Sequence, residues 1–154
     1  MEAVRLIEVS RQALAQSKAL TDVVAEAWQT QALVAEVGSR LAACGPPVVR
    51  AEAIGLSEAG KRGCGSLRHP ARSEEDIRAR RLSGVSDPRQ VLVDLAGLLG
   101  ESGVALVGVA VAADEGLYWQ CLDAIDAADE SGDRVAGILR SLALPERGGA
   151  RVVT

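Results

Sequence analysis

The chain has 154 residues, of which 48% are hydrophobic and 25% are charged, and this length and composition suit one domain with one core. The net charge of −4 argues against a nucleic-acid binder, because duplex affinity depends on clustered Lys and Arg. Aromatic residues make up only 2% of the chain. The core must therefore be built from Leu, Val, Ile and Ala, which favours packed helices over a sheet.

The first part of the chain predicts three helices. Apolar residues recur at helical spacing from Ala3 to about Ser17, and a second helix, capped by Thr21-Asp22, continues to Ala43. Gly45-Pro46-Pro47 then ends it. A continuous helix through residues 18–21 is an alternative, and it would join the first two helices into one rod. The third helix, from Val48 to about Arg62, is weaker because glycines interrupt it.

The rest of the chain predicts a loop and three more helices. The loop runs from Gly63 to Pro70, and Ser73 caps a short helix that ends at about Leu82. Asp87-Pro88 begins a long helix that reaches about Ala112. The last helix runs from about Leu117 to Leu142, and Gly132 is expected to allow the close approach of a neighbouring helix, with a kink at this residue as the alternative.

Two of these helices, the second and the one that begins at Asp87-Pro88, carry more apolar surface than a peripheral helix needs. Because a helix that is apolar all round is normally buried, one interpretation places both at the centre of the bundle. The other makes their second faces a surface for self-association or for a partner. A strand from Gly103 to Ala113 is a third interpretation of the later segment. The second faces are Ala25, Trp28, Ala32, Ala35 and Ala42 in the earlier helix, and Val93, Gly97, Gly100, Val104, Val107 and Val111 in the later one.

The apolar segment from Val91 to Ala113 is the candidate for a membrane span. It contains Asp94 and Glu101, and its uninterrupted apolar part is about half of the roughly 20 residues that a spanning helix requires. We therefore expect no membrane association, and no nucleic acid as a partner. The N-terminal residues show no secretory signal, and three separated cysteines fit a reducing cytoplasm.

The last helix contains the other candidate interaction residues. Tyr118 and Trp119 lie at its start, where they either pack into the core or form a recognition hot spot with Trp28 as a further candidate. Four carboxylates, spaced three, four and three apart, form a stripe along one side of this helix. This stripe is either solvated or docked onto a basic region or a partner. The stripe is Asp123, Asp126, Glu130 and Asp133, and the basic region is Lys61, Arg62, Arg68, Arg72, Arg78, Arg80 and Arg81.

The sequence offers little for chemistry. His69 is the single histidine, and Cys44, Cys64 and Cys121 are far apart. A pair of Cys64 and His69 lacks a third group that would orient the imidazole. The carboxylates match neither a di-metal bundle nor a calcium loop. We therefore predict no catalytic residue, no cofactor and no metal.

Two blocks of sequence carry a resemblance to a known group of proteins. They are AVRLIEVSRQALAQSKALTDVVAEAWQTQALVAEVGSRLAACGPP and GLYWQCLDAIDAADESGDRV. Together they resemble a family of small, uncharacterised, all-helical proteins from actinobacteria, a domain of unknown function. The resemblance implies a cytoplasmic bacterial protein and an all-helical fold. It implies no activity and assigns no functional residue.

The sequence as a whole predicts an all-α, antiparallel helical bundle of about four long and two short helices. Residues 1–144 are expected to form the single domain, and residues 145–154 a disordered tail. The favoured function is a non-enzymatic protein–protein interaction or adaptor protein, with a homo-oligomer or a protein partner as the candidate assembly. The alternative is a small-molecule-sensing bundle with an apolar pocket near the tryptophans.

Overall fold

A computed structural model describes residues 1–67 and 74–143 of the chain. These residues form five α-helices and no sheet, which confirms the predicted all-α class. The predicted tail from 145 to 154 and the candidates Arg68, His69, Arg72 and Ser73 lie outside the described residues. The helices are α1 (Ala3–Gln16), α2 (Leu20–Cys44), α3 (Arg50–Ser66), α4 (Pro88–Ala110) and α5 (Glu115–Ala143).

Helices α2, α3, α5 and α4 pack in that order around a common core. The connections from α2 to α3 and from α4 to α5 are short, so each pair forms an antiparallel hairpin. Helix α1 packs against α4 and α2 on the outside of this group. The arrangement is an antiparallel bundle, as predicted, and it leaves α4 with α1, α2 and α5 as its neighbours.

The chain bends between α1 and α2, so the two helices do not form one rod. Ser17 and Ala19 have extended backbone conformations, with ψ angles of 123° and 144°. The Ser17 hydroxyl donates to the carbonyl of Ala13 at 2.8 Å and covers the end of α1. Helix α2 begins at Leu20 without a side-chain cap, so the predicted cap at Thr21-Asp22 is wrong.

Helices α2 and α3 are in close contact because glycines face the opposite backbone. A Cβ atom on Gly38 would lie 2.5 Å from the backbone nitrogen of Ser57, and one on Gly60 would lie 2.5 Å from that of Ala35. Gly63 is also packed, against the side chain of Gln31. These contacts carry α3 on to Ser66, so the loop predicted to begin at Gly63 is wrong for residues 63–66. Tertiary packing here overrides the low helix propensity of glycine.

The predicted short helix that ends near Leu82 is instead two 3-10 turns, Glu74–Asp76 and Arg78–Arg81. Gln29 on α2 separates them, because its amide donates to the carbonyl of Asp76 at 2.7 Å and its side-chain oxygen accepts from the Arg78 amide at 3.0 Å. Those backbone groups are therefore not bonded within a regular α-helix. A contact 47 to 49 residues away in sequence decides this local structure.

The last two helices follow the predictions closely. Asp87 caps α4 by accepting from the amide of Gln90 at 3.3 Å, and the segment read alternatively as a strand is helical up to Ala110. Helix α5 passes through Gly132 without a break. A Cβ atom on Gly132 would meet nothing within 4 Å, so the predicted close approach at this glycine is wrong.

Candidate interaction surface

The exposed side of α4 is an uncharged apolar strip. Its valines retain large exposed fractions: 48% at Val93, 75% at Val104, 56% at Val107 and 86% at Val111. Solvent-exposed glycines lie between them. Several large apolar residues exposed on one side of a helix are unusual at a protein surface, so this strip is the candidate interaction surface. We call this strip the α4 face: Val93, Gly97, Gly100, Val104 and Val107, together with Val111, the residue directly after the helix, whose backbone is still helical.

The opposite side of α4 is in the core. Leu92, Leu95 and Leu106 are fully buried there. Both sides of α4 are therefore apolar, and the mean hydropathy is 1.7 over its most apolar 18-residue window. By length and composition alone, this helix could cross a membrane. Only 39% of that window is buried in the bundle. Packing in the core accounts for the apolar residues of α4 that are buried. The α4 face consists of apolar residues that the bundle leaves exposed.

Helix α2, the other helix with two apolar faces, is different because both of its faces are covered. Trp28 is only 6% exposed and lies in the core cluster. Ala32 is buried, and Ala25, Ala35 and Ala42 are partly buried. The interpretation of α2 as a central helix is therefore correct, and Trp28 does not contribute to a surface of the bundle.

One edge of the α4 face is bordered by an ion pair. Arg11 of α1 binds the carboxylate of Glu101 through two hydrogen bonds, 3.0 Å from Nε and 2.5 Å from Nη2. Beside it, an open groove of about 720 Å³ separates α1 from α4, and its lining includes Leu14 and Val104. A shallower groove of about 350 Å³ separates α4 from α5. The face is therefore a ridge of valines with a groove on each side.

Tyr118 and Trp119 are exposed at the start of α5, by 41% and 59%. Their rings pack edge to face with centroids 5.7 Å apart. Trp119 lines a shallow depression together with Asp114 and Asp123, so the surroundings of this tryptophan are acidic. With Trp28 in the core, the structure does not gather the aromatic candidates at one apolar pocket. The small-molecule alternative stays a prediction.

The carboxylate stripe on α5 is largely in solvent. Asp123, Asp126 and Asp133 are exposed, and Glu130 is partly buried and forms an ion pair with Arg62 of α3. One contact between the stripe and the predicted basic region therefore exists within the bundle. It is an exposed pair, and such pairs contribute little to stability.

Another basic candidate serves the fold. Arg78 forms an ion pair with Glu26 of α2, and the two side chains are only 17% and 16% exposed. Together with the Gln29 hydrogen bonds, this pair fixes the 3-10 turns to α2. The basic region predicted from the sequence is thus divided among separate partners in the described residues.

Cys64 lies partly buried between α3 and α2, and its thiol donates to the carbonyl of Trp28 with a sulfur–oxygen distance of 3.7 Å. Burial raises the pKa of this thiol to about 11. A thiol with this pKa is a poor nucleophile near neutral pH. Burial also raises the pKa of Cys121. Among the described residues, no group of three His, Cys, Asp or Glu side chains is placed to hold a metal ion.

Sequence reasoning found the α4 face but missed two features of its surroundings. Arg11 pairs with a residue 90 positions away, and no local pattern predicts that contact. Asp129 of α5 lines the groove on the other side of the face, beside Val104 and Val107, and this contact between two helices is likewise absent from the local pattern.

The fold and this surface define an all-α bundle with an uncovered apolar helix face. The chain belongs to a family of unknown function, DUF6099, whose model matches residues 1–141. No curated protein and no solved structure matches the chain.

Proposed function

We propose that this protein is a non-enzymatic interaction protein that self-associates through the α4 face. The observation that carries the proposal is the exposed row of valines at 93, 104, 107 and 111 on a face that contains no charged residue. A second copy is the occupant that this face suits best, because the face can pair with itself without leaving a charge unpaired. The expected setting is a reducing bacterial cytoplasm.

The spacing of the α4 face supports a helical partner. Its six positions are separated by four, three, four, three and four residues, which is the heptad spacing of helices that pack side by side. The two glycines reduce the thickness of the ridge and allow a neighbouring helix to approach closely. A second α4 helix presents the same spacing and therefore matches the first.

The apolar area indicates a moderate affinity. Covering the partly exposed valines of both copies contributes on the order of 8 kcal/mol, at about 1 kcal/mol for each valine. Association itself costs roughly 4 to 15 kcal/mol. The two terms are similar in size, whereas a dissociation constant of 1 μM requires about 8 kcal/mol of net binding free energy. The α1 and α5 flanks must therefore contribute as well, and we expect a dissociation constant that is micromolar or weaker.

The test is the mass of the protein in solution, measured by light scattering after size-exclusion chromatography. From about 1 μM to about 500 μM, a range that brackets the expected affinity, the mass should rise from 16.0 kDa towards twice that value. Val104→Lys should hold the protein at 16.0 kDa across the range, because the lysine charge would be buried between the copies.

Ile54→Lys is the matched control. Ile54 is 52% exposed on α3, so this substitution adds the same charge to an exposed aliphatic position away from the α4 face. It should self-associate like the unmodified protein. A protein that stays monomeric at every concentration would contradict the proposal. If that monomer also co-sediments with vesicles of phosphatidylcholine and phosphatidylglycerol, the α4 face would belong to a lipid surface instead.

A further inference from the structure

The α4 face has a symmetric spacing that determines how a second copy fits. The intervals of four, three, four, three and four residues are the same in both directions, with their centre at Ser102. Two α4 helices that cross antiparallel at this centre therefore place every position of one face opposite a position of the other. Antiparallel helices also align their dipoles favourably.

This alignment places large residues opposite small ones. Gly97 faces Val107 of the second copy, and Gly100 faces Val104, so two of the valines fill the space left by glycines. A parallel alignment would put glycine against glycine near the start of α4 and valine against valine near its end. One end of the interface would then have a gap and the other would be crowded, which lowers the packing density.

Two carboxylates border the face: Asp129 of α5 lies in the groove beside Val104 and Val107, and Glu101 lies at the α1 edge. Each Glu101 is already bound by Arg11 of its own copy through two hydrogen bonds. Its negative charge is therefore largely offset by a cation before the second copy approaches.

We infer that the protein forms a two-fold symmetric dimer in which two α4 helices pack antiparallel with their centres at the level of residue 102, so that Gly97 and Gly100 of each copy lie against Val107 and Val104 of the other. This inference rests on the proposed self-association and adds the symmetry and the register. It assigns one specific geometry to the second copy.

Cysteine cross-linking tests the register. In a Cys44→Ser background, which removes the exposed thiol, Val93→Cys and Val111→Cys are made as separate proteins, one of them with an affinity tag of different mass. Positions 93 and 111 face each other between copies, whereas position 93 lies about 27 Å from position 93 of the second copy at 1.5 Å per residue. A disulfide needs Cβ atoms about 4 Å apart. Mild oxidation should therefore cross-link the mixture into heterodimers and leave each protein alone uncross-linked.

The outcomes separate this inference from the proposed function. Cross-linking of Val93→Cys with itself and of Val111→Cys with itself would show a parallel pair and overturn the inference. A dimeric mass without any cross-link above the level of an Ile54→Cys collision control would place the contact elsewhere, again overturning the inference while self-association stands. A protein that stays monomeric at all concentrations would contradict both the inferred register and the proposed self-association.

Discussion

At the scale of single residues, two glycines in long helices have opposite surroundings. Gly60 in α3 faces the backbone of α2, where an added Cβ would lie 2.5 Å from the nitrogen and 2.9 Å from the Cα of Ala35. Gly132 in α5 has nothing within 4 Å of that position. Backbone atoms cannot move aside as the end of a flexible side chain can, so the two sites respond differently to the same substitution.

We expect Gly60→Ala to lower the free energy of unfolding by about 2 kcal/mol, because overpacking outweighs the gain in helix propensity. Gly132→Ala, the matched control, should raise it by roughly 1 kcal/mol through propensity alone. Urea unfolding followed by circular dichroism measures both values. If Gly60→Ala were as stabilising as Gly132→Ala, the close spacing of α2 and α3 would be wrong.

The Cys64 thiol makes stability depend on pH. Its pKa is raised from 9.0 to about 11 in the folded protein, so the folded state keeps the proton at pH values where the unfolded chain loses it. The contribution of this group to stability is therefore complete below pH 9 and is lost as the pH rises towards 11. Comparing urea midpoints from pH 8 to 11 should show a smaller loss for Cys64→Ala than for the unmodified protein.

Cys44→Ala is the control for this comparison, because Cys44 is exposed. Its stability should decline with pH in parallel with that of the unmodified protein. Equal declines for the Cys64→Ala and unmodified proteins would show that the Cys64 thiol titrates normally in the fold.

At the scale of elements, local chemistry predicted the helices whose ends are decided locally. Asp87 before Pro88 contains the cap and the first-turn proline that start α4, and the structure confirms that start. The apolar periodicity likewise carried the prediction of α5 through Gly132. In both cases the determining interactions lie within one or two turns of the chain.

Elements that depend on distant contacts were not predictable in this way. The 3-10 turns around Asp76 exist because Gln29, on α2, bonds their backbone. Helix α3 continues past Gly63 because its glycines fit against α2. Propensity treats the α3 glycines as helix breakers, whereas packing against α2 makes the lack of a side chain an advantage.

The candidate surface also combines a feature that local sequence predicts with one that distant contacts decide. Periodicity identifies second apolar faces on α2 and α4, but it does not tell which face another helix covers. Trp28 is in the core because α2 is surrounded, and Val104 is exposed because none of the helices in residues 1–67 and 74–143 covers that side of α4. The composition of the face was thus predictable from sequence, and its exposure was determined by the arrangement of the five helices.

At the scale of the whole molecule, the bundle should fold as a monomer and gain further stability from self-association. The α4 face is outside the core cluster, so the fold does not depend on it. By mass action, a dimer adds stability that grows with protein concentration, about 2.7 kcal/mol when the concentration is 100 times the dissociation constant. For a domain of this size, that corresponds to a rise in melting temperature of roughly 5 to 10 °C.

Thermal unfolding at increasing protein concentration should therefore show a rising Tm for the unmodified protein. Val104→Lys should have the same Tm at the lowest concentration, because residue 104 is 75% exposed in the monomer, and should show no rise. Differential scanning calorimetry across the micromolar range measures both curves. A Tm of the unmodified protein that is independent of concentration would mean that the valines of α4 contribute nothing through a second copy. A lower Tm for Val104→Lys at every concentration would instead show that Val104 supports the fold of the single chain.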